Sequence, residues 1–392
     1  MQSNKIFLIL VSIALFALIS CESDNSDEIT YTDPVATAIP ITSDDTDMES
    51  EIEEPLSKVD DIVDTAPEPT LEPVATAIPI TSDEVDSSSE IKEALSKVEN
   101  IIDPDNISWP RNITVAGNEI VIEERPDNVL TISLGHDEIL FGISDDSQIV
   151  GTTIFAQEEG SNIKNKSYGL PTITTDPESI ITLDPDIVFA DPYASVELID
   201  TLTDLGILVI QTPLNNDISG RKNDVWFMAY ITGNLDHAQT LIEDIDNKIN
   251  VLSDITENNN VKKKILTLSW WDSYWTAGTG STEDSIINLA GAINIASENG
   301  IESNTTIDKE KLISMNPEII LITQSVAWGG QDFYDQLFLD TSLSSIEAIK
   351  NNNVFLVNPN WWGTLSYWNI MGAKQLIEIL LPDPELDDFG GF

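Results

Sequence analysis

From residue 129 onward, short apolar runs rich in β-branched residues alternate with helical stretches, and one longer helical stretch separates two such sets. The first set has runs at 129–133, 149–152, 187–190 and 207–210. Residues 223–255 then keep Val225, Met228, Ala229, Ile231, Leu235, Leu241, Ile245, Ile249 and Leu252 near helical spacing, with Gly233 as the one soft point. The second set has runs at 265–268, 319–322 and 354–357, with helices at 285–289 and 371–380. Such alternation predicts a parallel sheet covered by helices, twice over. The expected architecture is α/β: two Rossmann-like lobes, 109–218 and 258–392, joined by one long helix at 219–257, with a cleft between them. Open sheets of this kind bind ligands beyond the carboxyl ends of their strands. A hairpin precedes the first lobe, where 113–115 and 120–122 flank Ala116-Gly117-Asn118-Glu119.

The N-terminus has a different character. Lys5 leads an apolar run at 6–18 that ends in Leu18-Ile19-Ser20-Cys21. The run is short for a membrane span, which takes about 20 apolar residues, and suits the core of a signal peptide. Small and apolar residues entering a cysteine resemble the bacterial lipobox. Residues 1–20 are therefore expected to be a lipoprotein signal peptide and Cys21 a lipid anchor, which puts the chain outside the cytoplasm, in a periplasm or at the cell surface. Cys21 is the only cysteine, so no intrachain disulfide can form. Residues 21–108 read as an acidic disordered tether. It contains a duplication, since 34–44 recurs unchanged as 73–83 and Leu56-Ser57-Lys58-Val59 returns as Leu95-Ser96-Lys97-Val98. Ile91, Leu95, Val98 and Ile102 have helical spacing, so each copy could end in a short amphipathic helix. Pro55 weakens the first copy's helix relative to Ala94 in the second.

Charge and residue inventory remove several function classes. A formal net charge of −50 repels nucleic acid and anionic headgroups. The chain has only two histidines, His136 and His237, and no cysteine in its folded body. No Gly-x-Ser-x-Gly elbow occurs. No catalytic residues, no protein-held metal and no cofactor are expected, and the chain is not expected to be an enzyme. Gly278-Thr279-Gly280-Ser281 lacks the Gly-Lys-Ser/Thr ending of a phosphate loop and reads as a turn that starts a helix.

Tryptophan placement is the positive signal. Of nine tryptophans, Trp271 and Trp275 follow the run ending at Leu268, Trp328 follows Ile322, and Trp361, Trp362 and Trp368 follow Val357. Phe155, Tyr168 and Tyr193 take comparable loop positions in the first lobe, and His136 lies where its first strand exits, placed either to make a loop-stabilising hydrogen bond or to reach a metal centre of the ligand. Indole offers a large flat apolar face and one N–H donor, which suits it to a rigid planar ligand. Arg111, Arg125 and Arg221 are the only arginines and none lies on these loops, so a neutral or cationic ligand fits better than a polyanion.

Taken in order, the pieces from residue 113 to 382 resemble the cobalamin and ferric-siderophore type of periplasmic binding protein. Arg125-Pro126-Asp127-Asn128-Val129-Leu130 is similar to that family's entry into its first strand. Pro177-Glu178-Ser179-Ile180-Ile181-Thr182-Leu183-Asp184-Pro185-Asp186-Ile187-Val188 and Lys309-Glu310-Lys311-Leu312-Ile313-Ser314-Met315-Asn316-Pro317-Glu318-Ile319-Ile320 are similar to its helix-to-strand signatures. The resemblance implies a monomeric substrate-binding component of an ABC importer, with a permease and its ATPase as partners and a corrinoid or ferric siderophore as ligand. It also implies that Glu178 and Glu310 dock onto permease arginines. Trp270-Trp271-Asp272-Ser273-Tyr274-Trp275-Thr276-Ala277-Gly278 resembles a segment of cobalamin-binding members but lacks prolines often found there. The alternative is a surface scaffold or adhesion protein on the same fold, without transport.

Overall fold

The computed structural model describes residues 87–259 and 262–382, together with 384, 386 and 389–392. The signal peptide, Cys21 and the first copy of the duplicated segment lie outside the described residues.

Two separate parallel sheets organise the body. The N-terminal sheet is three-stranded, in the order Val129–Thr131, Ile187–Ala190, Leu208–Gln211, with both pairings parallel. Its central strand is buried at every position, as expected of a strand covered on both faces. The C-terminal sheet is six-stranded. Its parallel core is Ile293–Asn294, Lys264–Trp270, Ile319–Ile322 and Val354–Leu356, extended by antiparallel Tyr274–Ala277 and Asn304–Ile307. The early hairpin pairs Arg111–Val115 with Asn118–Ile122 around Ala116 and Gly117, whose φ angles of 50° and 79° are those of a two-residue hairpin turn.

The single connecting helix expected over 219–257 is two helices, Ile218–Thr232 and Leu235–Asn259. Gly233 separates them in the left-handed region at φ +81°, where it caps the first helix. A Cβ added there would lie 3.1 Å from both the Arg125 side chain and the Trp109 ring. Asn234 fixes the corner, donating to Gln148 Oε1 at 2.6 Å and accepting from Arg125 Nη2 at 3.0 Å. The soft point is a built corner.

A second difference concerns the tether, expected to run to residue 108. Residues 87–108 belong to the folded body. The helix Ser87–Leu95 packs on Ile218–Thr232, and Ile91, Leu95, Val98 and Ile101 enter the main core. The buried stripe uses Ile101, while Ile102 stays exposed. Backbone bonds hold the segment to the hairpin, from Ile102 N to Asn112 O at 3.1 Å and from Thr114 N to Asn100 O at 2.8 Å. The Tyr230 hydroxyl donates to the carbonyls of Asp103 and Asn106 at 3.2 and 3.1 Å.

Candidate functional site

The exit loops of the C-terminal sheet are dense in rings. Lys264–Trp270 delivers Trp270 and Trp271 at its carboxyl end; Trp271 is 45 % exposed, while Trp270 packs on Tyr274 with ring centres 4.9 Å apart. Asp272, at φ 58°, turns the chain back so that Trp275 lies half-buried on the antiparallel strand. Trp328 follows the next strand and is 52 % exposed. Gln324 ties these two loops together: its Oε1 accepts from Trp270 N at 2.8 Å and its Nε2 donates to Trp328 O. After Val354–Leu356 comes the short turn Pro359–Trp362, which leaves Trp361 half-buried at the surface. Beside these loops, a cavity of about 330 Å³ is lined by Trp270, Tyr274, Phe333 and Leu339, with Asp340 at its edge.

Three expected ligand contacts lie elsewhere. Trp362 is fully buried, with its Nε1 donating to Gln375 Oε1 at 3.1 Å. Trp368 packs inside against Tyr367 and Phe392, with ring centres 6.2 and 5.2 Å away. Both are core residues: Trp362 ends the short helix Pro359–Trp362 and Trp368 immediately precedes the helix Asn369–Leu380. His136 is also fully buried, held between Ser133 Oγ at 2.6 Å from Nδ1 and Thr212 Oγ1 at 3.3 Å from Nε2, and stacked on Phe189. Burial pushes its pKa down to about 3, so the ring is neutral. Both its nitrogens are occupied inside the protein, and neither is free to reach a ligand.

The N-terminal sheet's exits are more polar. Phe155, in the short 3-10 helix Ile154–Gln157, and Tyr193, on the loop after Ile187–Ala190, are exposed, and Tyr168 more so. The helix Leu134–Ile143, entered from the first strand, buries Asp137 and Glu138 next to His136. Asp137 accepts from Thr131 Oγ1 and from Thr153 N and Oγ1. Burial, outweighing those bonds, pushes its carboxyl up to about 7. Burial also raises Glu138, whose carboxylate reaches the other half of the molecule: Thr364 Oγ1 and Ser366 Oγ both donate to Oε2. Asn162 Nδ2 donates to Glu138 Oε1 at 2.8 Å and to Asn360 O at 3.0 Å, so the loop beyond Phe155 and the loop bearing Trp361 are brought together. A second junction runs from Asn216 Nδ2 to Gly280 O at 3.0 Å. Buried Arg221 joins it, donating from Nη2 to Thr282 Oγ1 at 3.1 Å, and burial lowers its pKa to about 10.

Glu138 and Arg221 were not singled out from sequence. The available signal was two adjacent acids, Asp137-Glu138, inside an otherwise apolar helix, an arrangement that demands buried partners. Glu178 and Glu310 are both exposed in the first turns of short helices, capped by Asp176 and Asp308. Among the described residues neither carboxylate makes a side-chain hydrogen bond or ion pair. No group of three or more His, Cys, Asp or Glu side chains suited to a metal occurs among the described residues.

A family model described as "Periplasmic binding protein" matches residues 129–360. A cobalamin-binding protein of Halobacterium salinarum is 23% identical over 244 residues, which cover 62% of this chain and 66% of that protein, just under two thirds of its length. An uncharacterised ABC transporter substrate-binding lipoprotein of Bacillus subtilis, YvrC, is 23% identical over 286 residues, covering 70% of this chain and 87% of that one. Among solved structures, the periplasmic haem-binding protein HutB of Vibrio cholerae superposes with a TM-score of 0.57 at 24% identity, over 65% of this chain and 99% of that one. With the family match spanning more than half of the sequence and two parallel sheets arranged as described, the chain belongs to the periplasmic binding protein family.

Proposed function

We propose that this protein is the substrate-binding component of an ABC importer, held outside the cytoplasm by a lipid on Cys21, and that it captures a bulky planar or macrocyclic metal complex, a corrinoid first among them. The ligand would lie against Trp271, Trp275, Trp328 and Trp361 of the C-terminal half and Phe155 and Tyr193 of the N-terminal half. Glu178 and Glu310 would dock on basic residues of a permease that works with an ATPase. The observation that carries the reading is the clustering of exposed and half-buried indoles on three successive strand exits of one sheet. Supporting it are the cobalamin-binding relative and the substrate-binding lipoprotein relative. The three arginines support a ligand without strong negative charge: Arg111 and Arg221 are buried, and Arg125 is bound to Asn234. Among the described residues no helix is long and apolar enough to cross a membrane.

The test is a tryptophan-fluorescence titration with cyanocobalamin, haemin and a ferric hydroxamate, with free tryptophan as the inner-filter control and calorimetry as confirmation. Saturable quenching by cyanocobalamin is expected. Saturation by haemin or the hydroxamate alone would move the ligand assignment, and no binding by any of the three would contradict the importer reading.

A further inference from the structure

Glu138 is 1 % exposed, and its two carboxyl oxygens take hydrogen bonds from two segments, one following the turn that bears Phe155 and the other following Trp361. Its Oε2 takes the hydroxyls of Thr364 and Ser366, a few residues beyond Trp361. Its Oε1 takes the Asn162 amide, whose loop follows Phe155, and that same amide donates to Asn360 O. The Tyr367 hydroxyl donates to the Glu138 backbone carbonyl at 3.1 Å. Small residues let the surfaces close around this point. A Cβ at Gly160 would come within 2.9 Å of Asn360 Oδ1, and one at Gly135 within 3.2 Å of Leu365 Cβ. Arg221 completes the cluster from the next helix, with Nη2 at 3.4 Å from Thr364 O.

We propose that Glu138 is a positioning residue of the ligand site: its carboxylate clamps the loop 158–163 of the N-terminal half to the loop 358–368 of the C-terminal half and so sets the spacing of the rings on either side. The inference rests on the binding function proposed above and adds to it the group that holds the two walls in register. The donor count makes the clamp specific to a carboxylate. Three donors converge on two oxygens, and an acceptor-only group satisfies all three. A glutamine of the same shape must turn its amide N–H either toward the Asn162 amide, donor against donor, or toward the two hydroxyls, which would then have to accept and would leave their own hydrogens without the oxygen they now reach. Losing the clamp removes three buried hydrogen bonds from one junction at once, which is enough to change loop populations.

The test uses the full chain and compares Glu138→Gln, the pair Thr364→Val with Ser366→Ala, and Thr364→Ser as the conservative control. Hydrogen–deuterium exchange is read on the ligand-free protein, and affinity by calorimetry with cyanocobalamin and haemin. Glu138→Gln and the hydroxyl-free pair are expected to raise exchange about tenfold or more in 158–163 and 358–368 together. The strand Lys264–Trp270 and the helix Leu235–Asn259 should stay protected. The same variants should weaken whichever probe binds by about tenfold, and Thr364→Ser should restore wild-type behaviour in both readouts. Loosening of one loop alone, loosening spread evenly over the whole body, or two loosened loops with undiminished affinity would each overturn the proposal. If the unsubstituted protein binds neither probe, the transport reading fails, while the joint or separate response of the two loops still decides whether the clamp exists.

Discussion

At its strand exits the C-terminal sheet presents Trp271, Trp275, Trp328 and Trp361, exposed or half-buried, while the N-terminal sheet turns inward with His136, Asp137 and Glu138 and shows only scattered rings outside. Both sheets have a parallel core, to which the C-terminal sheet adds two antiparallel strands. What differs is where the chemistry goes. The C-terminal loops keep apolar area available for contact, and the N-terminal loops spend their polar groups on internal bonds that hold shape. If the comparison is right, affinity comes chiefly from the C-terminal half and geometry chiefly from the N-terminal half.

The largest expected effect tests whether the halves are equivalent toward a partner. Glu178→Lys together with Glu310→Lys should abolish uptake in cells while leaving ligand affinity unchanged, because both carboxylates are exposed and, among the described residues, make no side-chain hydrogen bond or ion pair. Each single reversal should reduce uptake on its own. Undiminished uptake in the double variant would remove the docking role.

Next in size are the rings. Trp361→Ala and Trp271→Ala should each weaken the bound ligand by about 2 kcal/mol, roughly 30-fold, as expected for a well-packed aromatic anchor. Phe155→Ala and Tyr193→Ala should cost only a few-fold. Equal losses on the two sides would break the proposed division. Leu95→Ala sharpens the comparison from outside the site. Leu95 is fully buried under the helix pair, so its truncation should destabilise the fold by about 2–5 kcal/mol in a denaturant titration, with affinity unmoved in the folded fraction.

The smallest effect is the most specific to the N-terminal exits. His136 has its pKa lowered to about 3, below an ordinary value of about 6.5. Its contribution to stability is complete above pH ~6.5 and is lost as pH falls toward 3, because the unfolded chain takes up the proton first. Asp137 is raised to about 7 from about 3.9, so the folded state holds its proton longer and stability is lost as pH rises through that window. Asp224, raised to about 6 mainly by burial, slopes the same way as Asp137. The slopes of His136 and Asp137 oppose each other between pH ~4 and ~6.5. Relative to wild type, Asp137→Asn should therefore gain stability as pH rises, and His136→Gln should gain as it falls. Parallel stability–pH curves for wild type and both variants would contradict the buried assignments.

Much of this architecture was legible in the sequence because apolar runs and helical spacing report burial directly. The buried runs at 187–190 and 319–322 became central strands, and the residues of the helix-to-strand signatures took those forms. The misreadings share a cause. Position along a chain says which loop a ring belongs to, and not which way it points. Trp361 and Trp362 are neighbours, yet one reaches the surface and the other is sealed against Gln375. Of the two roles open to His136, the hydrogen bond to its own loop is seen, to Ser133, whereas the ligand contact is not, because the helix that begins at Leu134 turns the ring onto Phe189. In the tether, the apolar stripe was legible as a short helix, but spacing alone did not say that it docks on the body, with Ile101 rather than Ile102 turned inward. Gly233 showed as a weakness in a helix, whereas the partners that make it a corner, Arg125 and Trp109, lie more than a hundred positions away.

The most direct test of the central claim is calorimetric titration of the protein and its Trp361→Ala variant with cyanocobalamin under identical conditions. Saturable binding by the unsubstituted protein, weakened about 30-fold in the variant, is the predicted result. Binding of equal strength in both would contradict the aromatic wall on the C-terminal half, and absence of binding in either would contradict the corrinoid assignment.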